Sequence, residues 1–447
     1  MGSVFYQETC ECQAELVVKK GDPEDDCFED LDTGWAWMVL IASFLTFCLV
    51  GAAIYAVGIT HAVLLDKYGA SVAVTSWAGA LHSALNTLGA PLSSLLIDRF
   101  SCRVTLVLSG VCYTVGFLAT AYAPNIYIAI FTCGILAGTG GALGYTASMV
   151  VVGFNFRSKR NLALGISNAG IGFGLFALAP VMQKAREEYG STGYFLIMAG
   201  LTANIVTFGM LCFPSELELH THRTRNRKEK DASERCSFLK SYFMVLSNKG
   251  ILVLCISMML FCVGTYLAYM YLPSFIVSTG ISARHSALLI SLSGIFSIAG
   301  RILTGIVSSK FHANVIVIYC GSICAVAISL IVYPFISKHF IGHVIFVVIY
   351  GLLVGSPYVV AMPVSLMFIE MQHLAVSLGL QFSFGGIGAI VGPVIAGILV
   401  DHFGNYEMSF IVAGVCVLVS GIVGILSVRC KRAFKQSIEV NVDDPKT

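Results

Sequence analysis

The sequence predicts an all-α membrane protein of twelve transmembrane helices, arranged as two parallel repeats of six. Of its 447 residues, 57% are hydrophobic and only 12% are charged, and the mean hydropathy is +0.83. A soluble domain carries about 25% charged residues, so this chain has too few charges to coat a water-exposed surface. The apolar residues also form long runs, and the second half of the chain resembles the first. These three observations together predict the fold class.

The apolar runs are long enough to cross the hydrocarbon core of a bilayer, which takes about 20 residues of helix. Turn residues or charges separate the runs, and the predicted spans are 36–65, 74–97, 104–122, 127–154, 161–181, 191–213, 249–276, 283–308, 313–336, 343–368, 374–400 and 406–428. We therefore expect five regions: an N-terminal tail (1–33), an N-terminal six-helix bundle (34–213), a central loop (214–248), a C-terminal six-helix bundle (249–428) and a C-terminal tail (429–447).

The basic residues predict the orientation of these spans. If the N-terminus is cytosolic, 21 of the 27 Lys and Arg residues lie on the cytosolic side, five lie outside and Arg301 lies within a helix. Since cytosolic loops carry an excess of Lys and Arg, both termini and the central loop are expected in the cytosol. Residues 1–32 are polar and acidic, unlike a signal peptide, so the first hydrophobic helix should act as its own insertion signal.

The cysteines indicate neither disulfides nor a metal site. Many of the 15 lie in apolar runs, where cysteine is a small hydrophobe. Cys10, Cys12 and Cys27 lie in the acidic tail and lack a second closely spaced pair, so we expect no metal and no cofactor. Without a nucleophile–base pair or a phosphate-binding loop, an enzyme is not expected either. Nucleic acid is not an expected partner.

The internal repeat appears as matches between residues about 211 to 214 positions apart. The matched residues are Leu88-Gly89 with Ala299-Gly300, Asp98-Arg99-Phe100 with Ser309-Lys310-Phe311, Gly138 and Tyr145 with Gly351 and Tyr358, and Gly165, Gly172 and Gly174 with Gly379, Gly386 and Gly388. They fall in the second, fourth and fifth helices of each half. Parallel six-helix repeats are the layout of major-facilitator transporters, whose halves rock about a site near the midplane. We therefore predict the major facilitator fold and alternating access.

A motif opens the first helix, and its sequence is Asp32-Thr33-Gly34-Trp35-Ala36-Trp37. Its residue types alone predict an N-cap at Asp32 and tryptophans at the membrane interface. The run also resembles the Asp-Gly-Gly-Trp-Gly-Trp motif that opens the first helix in the monocarboxylate transporter family (solute carrier family 16), with Thr33 in place of a glycine.

A second motif surrounds the start of the fifth helix, from Gly153 to Gly170. It has aromatic residues, a basic cluster (Arg157, Lys159 and Arg160), then Leu-Ala-x-Gly ending at Gly165, and Ala-Gly ending at Gly170. This order resembles the second motif of the same family, although Asn155 and Asn161 stand where the family commonly has Tyr and Pro. Gly392-Pro393, Gly397 and Asp401 also resemble the family. The basic cluster should anchor the cytosolic end, and Gly165 and Gly170 should lie at tight helix contacts.

The loop Asp98-Arg99-Phe100-Ser101-Cys102-Arg103 resembles the short loop between the second and third helices of major facilitators. Its charges predict a positive-inside anchor, and the resemblance implies a latch that holds the cytosolic face closed. The two interpretations are compatible.

Arg301 lies two-thirds of the way through the eighth helix. A charge at the centre of a membrane helix costs about 2.5–3.5 kcal/mol, so it normally faces a partner or a water-filled path. The alternative is snorkelling towards the cytosolic surface, because Lys310 is nine residues further on. A guanidinium presents paired donors that match a carboxylate, which suits an organic anion.

Two residues depart from the pattern of the proton-coupled family members. Those members carry Asp one turn before the arginine, where this chain has Ser297, and a lysine in the first helix, where it has Tyr55. We therefore expect uptake to depend only weakly on a pH gradient, unless His61 or His82 titrates. Other polar residues that could line the path are Asn86, Tyr145, Asn168, Tyr266, Tyr269, Tyr358 and Gln381. Each of these could instead make an interhelical hydrogen bond.

The sequence and the resemblance together predict a secondary transporter of small monocarboxylates or related amphipathic solutes at the plasma membrane. The resemblance implies symport in the proton-coupled members, and some relatives need a single-pass immunoglobulin-type chaperone as a partner. One alternative is a facilitator of a neutral or zwitterionic solute, such as an aromatic amino acid, a thyroid hormone or a creatine-like compound. The other is a membrane sensor or channel that does not transport by a carrier mechanism.

Overall fold

The computed structural model describes residues 28, 30–55, 57–230, 242–310, 314–403 and 406–443, and within them every regular element is a helix. The helices are α1 (Trp35–Tyr55), α2 (Val57–Tyr68), α3 (Val72–Leu88), α4 (Ala90–Arg99), α5 (Cys102–Ala121), α6 (Ile126–Ala129), α7 (Ala137–Asn155), α8 (Arg160–Leu211), α9 (Glu216–Lys230), α10 (242–247), α11 (Lys249–Ser278), α12 (Ala283–Lys310), α13 (Val315–Ile336), α14 (Phe340–Val354), α15 (Ser356–Ser365), α16 (Leu374–Phe403) and α17 (Glu407–Asp443). A π-helical segment (Ile130–Leu136) joins α6 to α7, and a 3₁₀ turn (Met371–His373) precedes α16. The predictions on Cys10, Cys12 and Cys27 lie outside the described residues.

Ten helical segments of the described chain are long and apolar enough to cross a membrane, by length and composition. One of them, α8, has 52 residues, or about 78 Å if straight, which exceeds two bilayer cores of about 30 Å. It turns at Gly190, whose φ of 66° and ψ of −165° no other residue type adopts easily, so α8 provides two crossings. Helices α3 and α4 together provide one more. The described residues therefore accommodate the twelve predicted crossings.

Two of the spans are broken near their middle. Helix α3 gives way to α4 at Gly89, and α14 gives way to α15 at Gly355. Each break is followed by a proline, Pro91 or Pro357, in the first turn of the new helix. Proline fits this position because its missing N–H would have no partner there. Each span is therefore interrupted at its glycine and continues directly as a second helix.

The predicted repeat is visible in contacts within each half. A Cβ on Gly174 of α8 would collide with the carbonyl of Cys48 in α1. A Cβ on Gly388 of α16 would collide with the carbonyl of Met259 in α11. Cys48 and Met259 are 211 residues apart, and the two glycines are 214 apart, which matches the repeat in the sequence. Equivalent helices therefore pack in the same way in both halves.

The contacts between the two halves are also related by the internal repeat. A Cβ on Gly165 of α8 would lie 2.7 Å from the carbonyl oxygen of Arg301 in α12. A Cβ on Gly379 of α16 would lie 3.2 Å from the carbonyl oxygen of Ala90 in α4, which is 211 residues before Arg301. Both contacts lie towards the end of the bundle that carries the loop between α4 and α5. The halves are therefore in contact, and the bundle is closed, at this end.

Three sequence-based predictions need correction. The residues between 181 and 191 were expected to interrupt the helices, but α8 continues to Gly190, where side-chain pairs four residues apart, Gln183 with Glu187 and Lys184 with Glu188, support the helix. The central loop 214–248 contains two helices, α9 and α10. The predicted tail after 428 is helical as far as Asp443, since a strongly helical transmembrane segment propagates into the polar residues that follow it.

Candidate functional site

Arg301 is buried inside the bundle, with 5% of its surface exposed. Its Nη1 donates to the hydroxyl of Ser297 and, at 3.5 Å, to the carbonyl of the same residue. Ser297 lies one turn back along α12, in the direction opposite to Lys310 at the end of the helix. The guanidinium therefore points towards the middle of the bundle, which is the reverse of what snorkelling to the end near Lys310 requires.

The positive charge of Arg301 has no counter-ion among the described residues. The ion pair of Lys184 with Glu188 lies within α8, and that of Arg186 with Asp66 joins α8 to α2, so neither involves Arg301. The Nε of Arg301 is buried and has no hydrogen-bond partner. A buried cation without a partner is costly, so this group is well placed to bind an anion.

The side chain of Arg301 lies against the break between α14 and α15. A Cβ on Gly355 would come within 2.8 Å of Cγ, Nε and Cζ of Arg301. A larger residue at this position would force the side chain of Arg301 to shift. The break between α14 and α15 therefore provides the space that the side chain of Arg301 occupies.

Asn168 of α8 is the next buried polar side chain on this side of the bundle. Its Nδ2 donates to the carbonyl of Leu164 at 3.0 Å, while its Oδ1 has no partner and the residue is fully buried. Gly172 of the same helix faces α12, and Ser167 bonds Ser43 of α1 at 2.6 Å. At 100° per residue, Asn168 lies between these two faces, on the side that α1 and α12 share.

An aromatic wall crosses from one half to the other near this level. The ring of Tyr145 in α7 lies edge to face with Phe47 of α1 at 5.2 Å and with Phe382 of α16 at 5.1 Å. The hydroxyl of Tyr358 in α15 lies 3.5 Å from the thiol of Cys262 in α11. The structure therefore places Arg301, Ser297 and Asn168 where α8 and α12 of opposite halves meet, and it places Tyr145 at a second contact between the halves.

The other candidate residues lie elsewhere. Gln381 donates to the hydroxyls of Ser365 at 2.7 Å and Ser377 at 3.2 Å, so it joins α15 to α16 near their ends. Tyr269 is half-buried further along α11. The side chain of Tyr55 lies outside the described residues. His82 and Asn86 are buried within the N-terminal half, in a separate cluster.

The N-cap predicted at Asp32 is wrong, because α1 begins three residues later and Asp32 has a φ of 60°. Its carboxylate instead accepts backbone N–H bonds from Arg157, Ser158 and Lys159, at 3.2, 2.8 and 2.9 Å. Three converging N–H groups form an anion-binding concavity. The two motifs that resemble the monocarboxylate transporter family are therefore joined at one end of the bundle.

The tryptophans of the first motif strengthen this junction. The indole of Trp35 donates to the carbonyl of Leu211 at 2.8 Å, and the ammonium of Lys159 lies 5.5 Å from the ring of Trp37. Arg160 continues the cluster by donating to the carbonyl of Phe156 at 2.8 Å. These side chains bind α1 to both ends of α8.

The expected tight contacts of Gly165 and Gly170 are present. Gly165 meets the backbone of α12, as described above, and a Cβ on Gly170 would collide with the carbonyl of Phe44 in α1. One face of α8 therefore packs within its own half and another packs across the two halves. This is the arrangement that small residues allow in membranes.

The loop after α4 lies beside the contact between the halves. The guanidinium of Arg103 lies over the ring of Phe213 at 4.3 Å, Arg99 is exposed, and Asp98 is half-buried. Glu218 of α9 was not identified as a candidate by sequence analysis. It is 1% exposed, and its Oε1 accepts the N–H of Cys102 at 2.9 Å. Burial raises the pKa of the Glu218 carboxyl, and its Oε2 has no partner.

A helical bundle of two equivalent six-helix halves is the architecture of major-facilitator transporters. In this chain the bundle also holds a buried cation without a counter-ion among the described residues. The sequence model of the Major Facilitator Superfamily matches residues 39–369, so the chain belongs to that superfamily. Two solved structures share the fold: the proton:xylose symporter XylE bound to 6-bromo-6-deoxy-D-glucose, and the transporter FucP in the outward conformation. Their TM-scores are 0.69 and 0.65, their identities 15% and 14%, and they cover 87% of this chain and 94% and 99% of their own.

The curated relatives of the chain are monocarboxylate transporters. Monocarboxylate transporter 12-B of Danio rerio is 29% identical over 420 residues, which cover 88% of this chain and 86% of that protein. Monocarboxylate transporter 9 of Pongo abelii is 26% identical over 480 residues, which cover 89% and 93%. The resemblance seen in the motifs therefore extends over most of the chain, and the relatives are transporters rather than enzymes.

Proposed function

We propose that the protein carries a small monocarboxylate, or a closely related amphipathic solute, by alternating access, and that Arg301 binds the carboxylate. The observation that carries this proposal is the buried guanidinium without a counter-ion. Its Nη1 is held by Ser297, which fixes the plane of the group, and its Nε remains available. A carboxylate is the anion that matches two parallel N–H donors.

The relatives support the substrate class, since their names refer to monocarboxylates. Ser297 makes this site different from that of the proton-coupled family members, which have an aspartate at this position. The serine hydroxyl satisfies one donor of Arg301 but leaves its positive charge uncompensated. An anionic substrate would then neutralise a charge that no carboxylate of the described chain neutralises. This favours an anion over a neutral solute at Arg301.

A zwitterionic solute is the second candidate, and Asn168 is the observation that favours it. Its Oδ1 is a buried acceptor without a partner, on the side of α8 that faces α1 and α12. An ammonium group of a substrate could donate to this oxygen while its carboxylate binds Arg301. Uptake of a monocarboxylate and of its α-amino analogue, compared in wild type and Asn168→Leu, distinguishes the two: loss confined to the amino acid favours the zwitterion.

For the setting of this transporter, we propose the plasma membrane, with both termini and residues 214–248 in the cytosol. The excess of Lys and Arg in these regions supports the orientation. The closed end of the bundle would then be the cytosolic end.

The test of the proposed site is a comparison of Arg301→Lys and Arg301→Ala, measured for both binding and transport. Loss of a charge-assisted hydrogen bond costs about 1.5–3 kcal/mol, so affinity for the carboxylate should fall about tenfold or more in both variants. Lysine keeps the charge but loses the two parallel donors, so it should fail as well. Lys310→Ala, an exposed cation on the same helix, is the matched control and should behave as wild type.

Other outcomes have distinct meanings. If binding survives in both variants while turnover falls, Arg301 gates the cycle and does not bind substrate. If lysine substitutes fully for binding and uptake, the carboxylate is bound elsewhere. Saturable uptake and counterflow by the purified wild-type protein in liposomes separate a carrier from a sensor or channel, which would show neither.

A further inference from the structure

A second polar cluster lies inside the N-terminal half. His82 and Asn86 of α3 are 2% and 6% exposed, and Tyr113 of α5 is fully buried. Three of their polar atoms, His82 Nε2, Asn86 Oδ1 and Tyr113 Oη, are buried without a hydrogen-bond partner. Each such atom costs about 1–3 kcal/mol. Three such atoms in one cluster make it a candidate site for a proton or another polar ligand.

The hydrogen bond of His82 shows which ring nitrogen is free. Nδ1 lies 3.1 Å from the carbonyl oxygen of Cys133. A carbonyl only accepts, so Nδ1 carries the hydrogen and Nε2 has the lone pair. Cys133 lies in the π-helical segment Ile130–Leu136. Such segments are rare in proteins, and those that occur are often found at functional sites. The imidazole is therefore held at one nitrogen while the other is open to a proton.

Asn86 and Tyr113 meet at a glycine of α7. A Cβ on Gly141 would collide with Asn86 Oδ1 and would lie 2.6 Å from Tyr113 Oη. A Cβ on Gly138, one turn earlier, would lie 3.1 Å from the backbone of His82. The two glycines thus let α7 approach α3 closely, and any larger residue at Gly141 would fill the cluster.

His82 and Asn86 lie four residues apart on α3, so their side chains are neighbours on one face of the helix. With a neutral imidazole, Nε2 and Oδ1 are both acceptors, and neither can bond the other. A proton on Nε2 turns it into a donor, and Asn86 lies one turn further along the same face of α3. If the protonated ring turns to bond Oδ1, two of the three unpartnered atoms are satisfied at once.

We propose that His82 is the proton-binding group of this transporter, and that its Nε2–H donates to Asn86 Oδ1 when the proton is bound. This inference rests on the proposed function, because it assigns the group whose proton travels with the carboxylate. One proton passes from water on one side to the Nε2 lone pair, and the same proton leaves Nε2 on the other side. The Nδ1–H stays on the carbonyl of Cys133 throughout.

The repeat relates this cluster to the site at Arg301. Asn86 and Ser297 are 211 residues apart, and so are His82 and Ser293. The contact of Gly138 with His82 is matched by that of Gly351, whose Cβ would lie 2.5 Å from the carbonyl of Ser293. The proton site and the anion site therefore occupy equivalent levels of opposite halves. An anion on one half and a proton on the other make the loaded carrier neutral.

The surroundings of His82 contain no competing charge within the described chain. Helix α7 has no Asp, Glu, Lys, Arg or His, and α3 has no titratable residue of these types other than His82. The titratable groups next to His82 are Tyr113 and Cys133. His61 lies in the middle of α2 and bonds Ser76 of α3 at 3.3 Å. The other titratable groups on the helices packed against α3, or on α5, lie towards the helix ends: Asp66 and Lys67 on α2, Asp98 and Arg99 on α4, Arg103 on α5, and Asp401 and His402 on α16.

The first test needs no substrate. The ring ¹⁵N signals of purified, histidine-labelled wild type are followed between about pH 5 and pH 8, and the His82 signal is identified by its loss in His82→Asn. Asparagine can place an N–H where Nδ1 lies, and so keeps the bond to Cys133, but it cannot titrate. The Nε2 signal should move from the neutral to the protonated position across this range. A signal that stays constant overturns the proposal and leaves a site for structural water.

The second test measures uptake of the transported monocarboxylate in liposomes with an inward proton gradient. Wild type should accumulate it about tenfold per pH unit, as one proton per anion requires. His82→Asn should lose this dependence, whereas the control His61→Asn should keep it. Asn86→Asp, which places a carboxylate beside Nε2, should move the pH midpoint upwards by about one unit.

Two results would overturn the assignment: a wild type that ignores the gradient, or a His82→Asn variant that still responds to it. If His82→Asn does not fold, the direction of the Asn86→Asp shift decides, and an unchanged midpoint counts against His82. Failure of the proposed function looks different, because uptake and counterflow of every monocarboxylate would then be absent while the ¹⁵N titration could still be measured.

Discussion

Gly165→Ala should open the end of the bundle at which the two halves touch. The added Cβ would lie 2.7 Å from the carbonyl oxygen of Arg301 and 2.9 Å from Cα of Gly305. Ordinary contact begins at about 3.4 Å, and both neighbours are backbone atoms that cannot rotate away. Helices α8 and α12 must therefore separate by several tenths of an ångström.

The energetic effect follows from where this contact lies. Inserting a methyl into a packed contact costs about 1–3 kcal/mol. In alternating access the halves separate at this end in the other state, so the cost falls on the closed state alone. A difference of this size shifts the equilibrium between the two states by a factor of about 5 to 150 towards the open one.

The assay is a distance distribution between spin labels at Phe100 and Lys310, which are exposed near this end on opposite halves. The labels are attached through unnatural amino acids, because the chain has many cysteines. Gly200→Ala is the matched control, since Gly200 lies on the same helix with nothing within 4 Å of its Cβ position. Both variants gain the same helix propensity, about 1 kcal/mol, so only the contact differs.

Gly165→Ala should lengthen the label distance and change the transport rate, whereas Gly200→Ala should match wild type. Gly165→Leu should go further and impair folding or abolish transport. If Gly165→Ala and Gly165→Leu both gave the wild-type distance distribution and the wild-type rate, the contact would have no part in closing this end.

Three further predictions concern the ends of the helices. Asp32→Ala should lower the Tm by several degrees, because three N–H groups at 157–159 lose a charged acceptor worth about 1.5–3 kcal/mol, and Asp32→Asn should retain part of this stability. Burial raises the pKa of Glu218, so its ionised form destabilises the fold as pH rises through that pKa; Glu218→Gln should therefore have the higher Tm at neutral pH, with the gap closing as pH falls. Reagents that do not cross membranes should label Lys67 and Lys338 on intact cells but should not reach tags at either terminus or in residues 214–248, and the reverse pattern would invert the topology.

The fold could be predicted from the sequence because its causes are local and repeated. A run of about 20 apolar residues specifies a crossing whatever its neighbours are, and the glycine pairs at a constant offset specify equivalent packing in the two halves. Gly165 and Gly170 were placed at tight contacts by the same reasoning, and the structure shows both. The continuation of α8 from 181 to Gly190 was missed because its charged residues are also typical of a short polar loop.

The sites depend on long-range partners, and these leave little trace in the sequence. The carboxylate of Asp32 bonds backbone N–H groups, which every residue type supplies, so no pairing pattern reveals the contact with 157–159. The same holds for Glu218 and the N–H of Cys102. The sequence did single out Arg301, since a charge in an apolar run is conspicuous, but its direction along α12 could be learned only from the contact with Ser297.

The most direct test of the account is counterflow by the purified protein in liposomes, with a monocarboxylate and its uncharged amide as competing substrates. The two differ only in the group that Arg301 is proposed to bind. The carboxylate should exchange saturably and the amide should compete at least about tenfold more weakly, a difference that Arg301→Ala should remove. Equal competition by acid and amide in the wild-type protein would contradict anion recognition at Arg301.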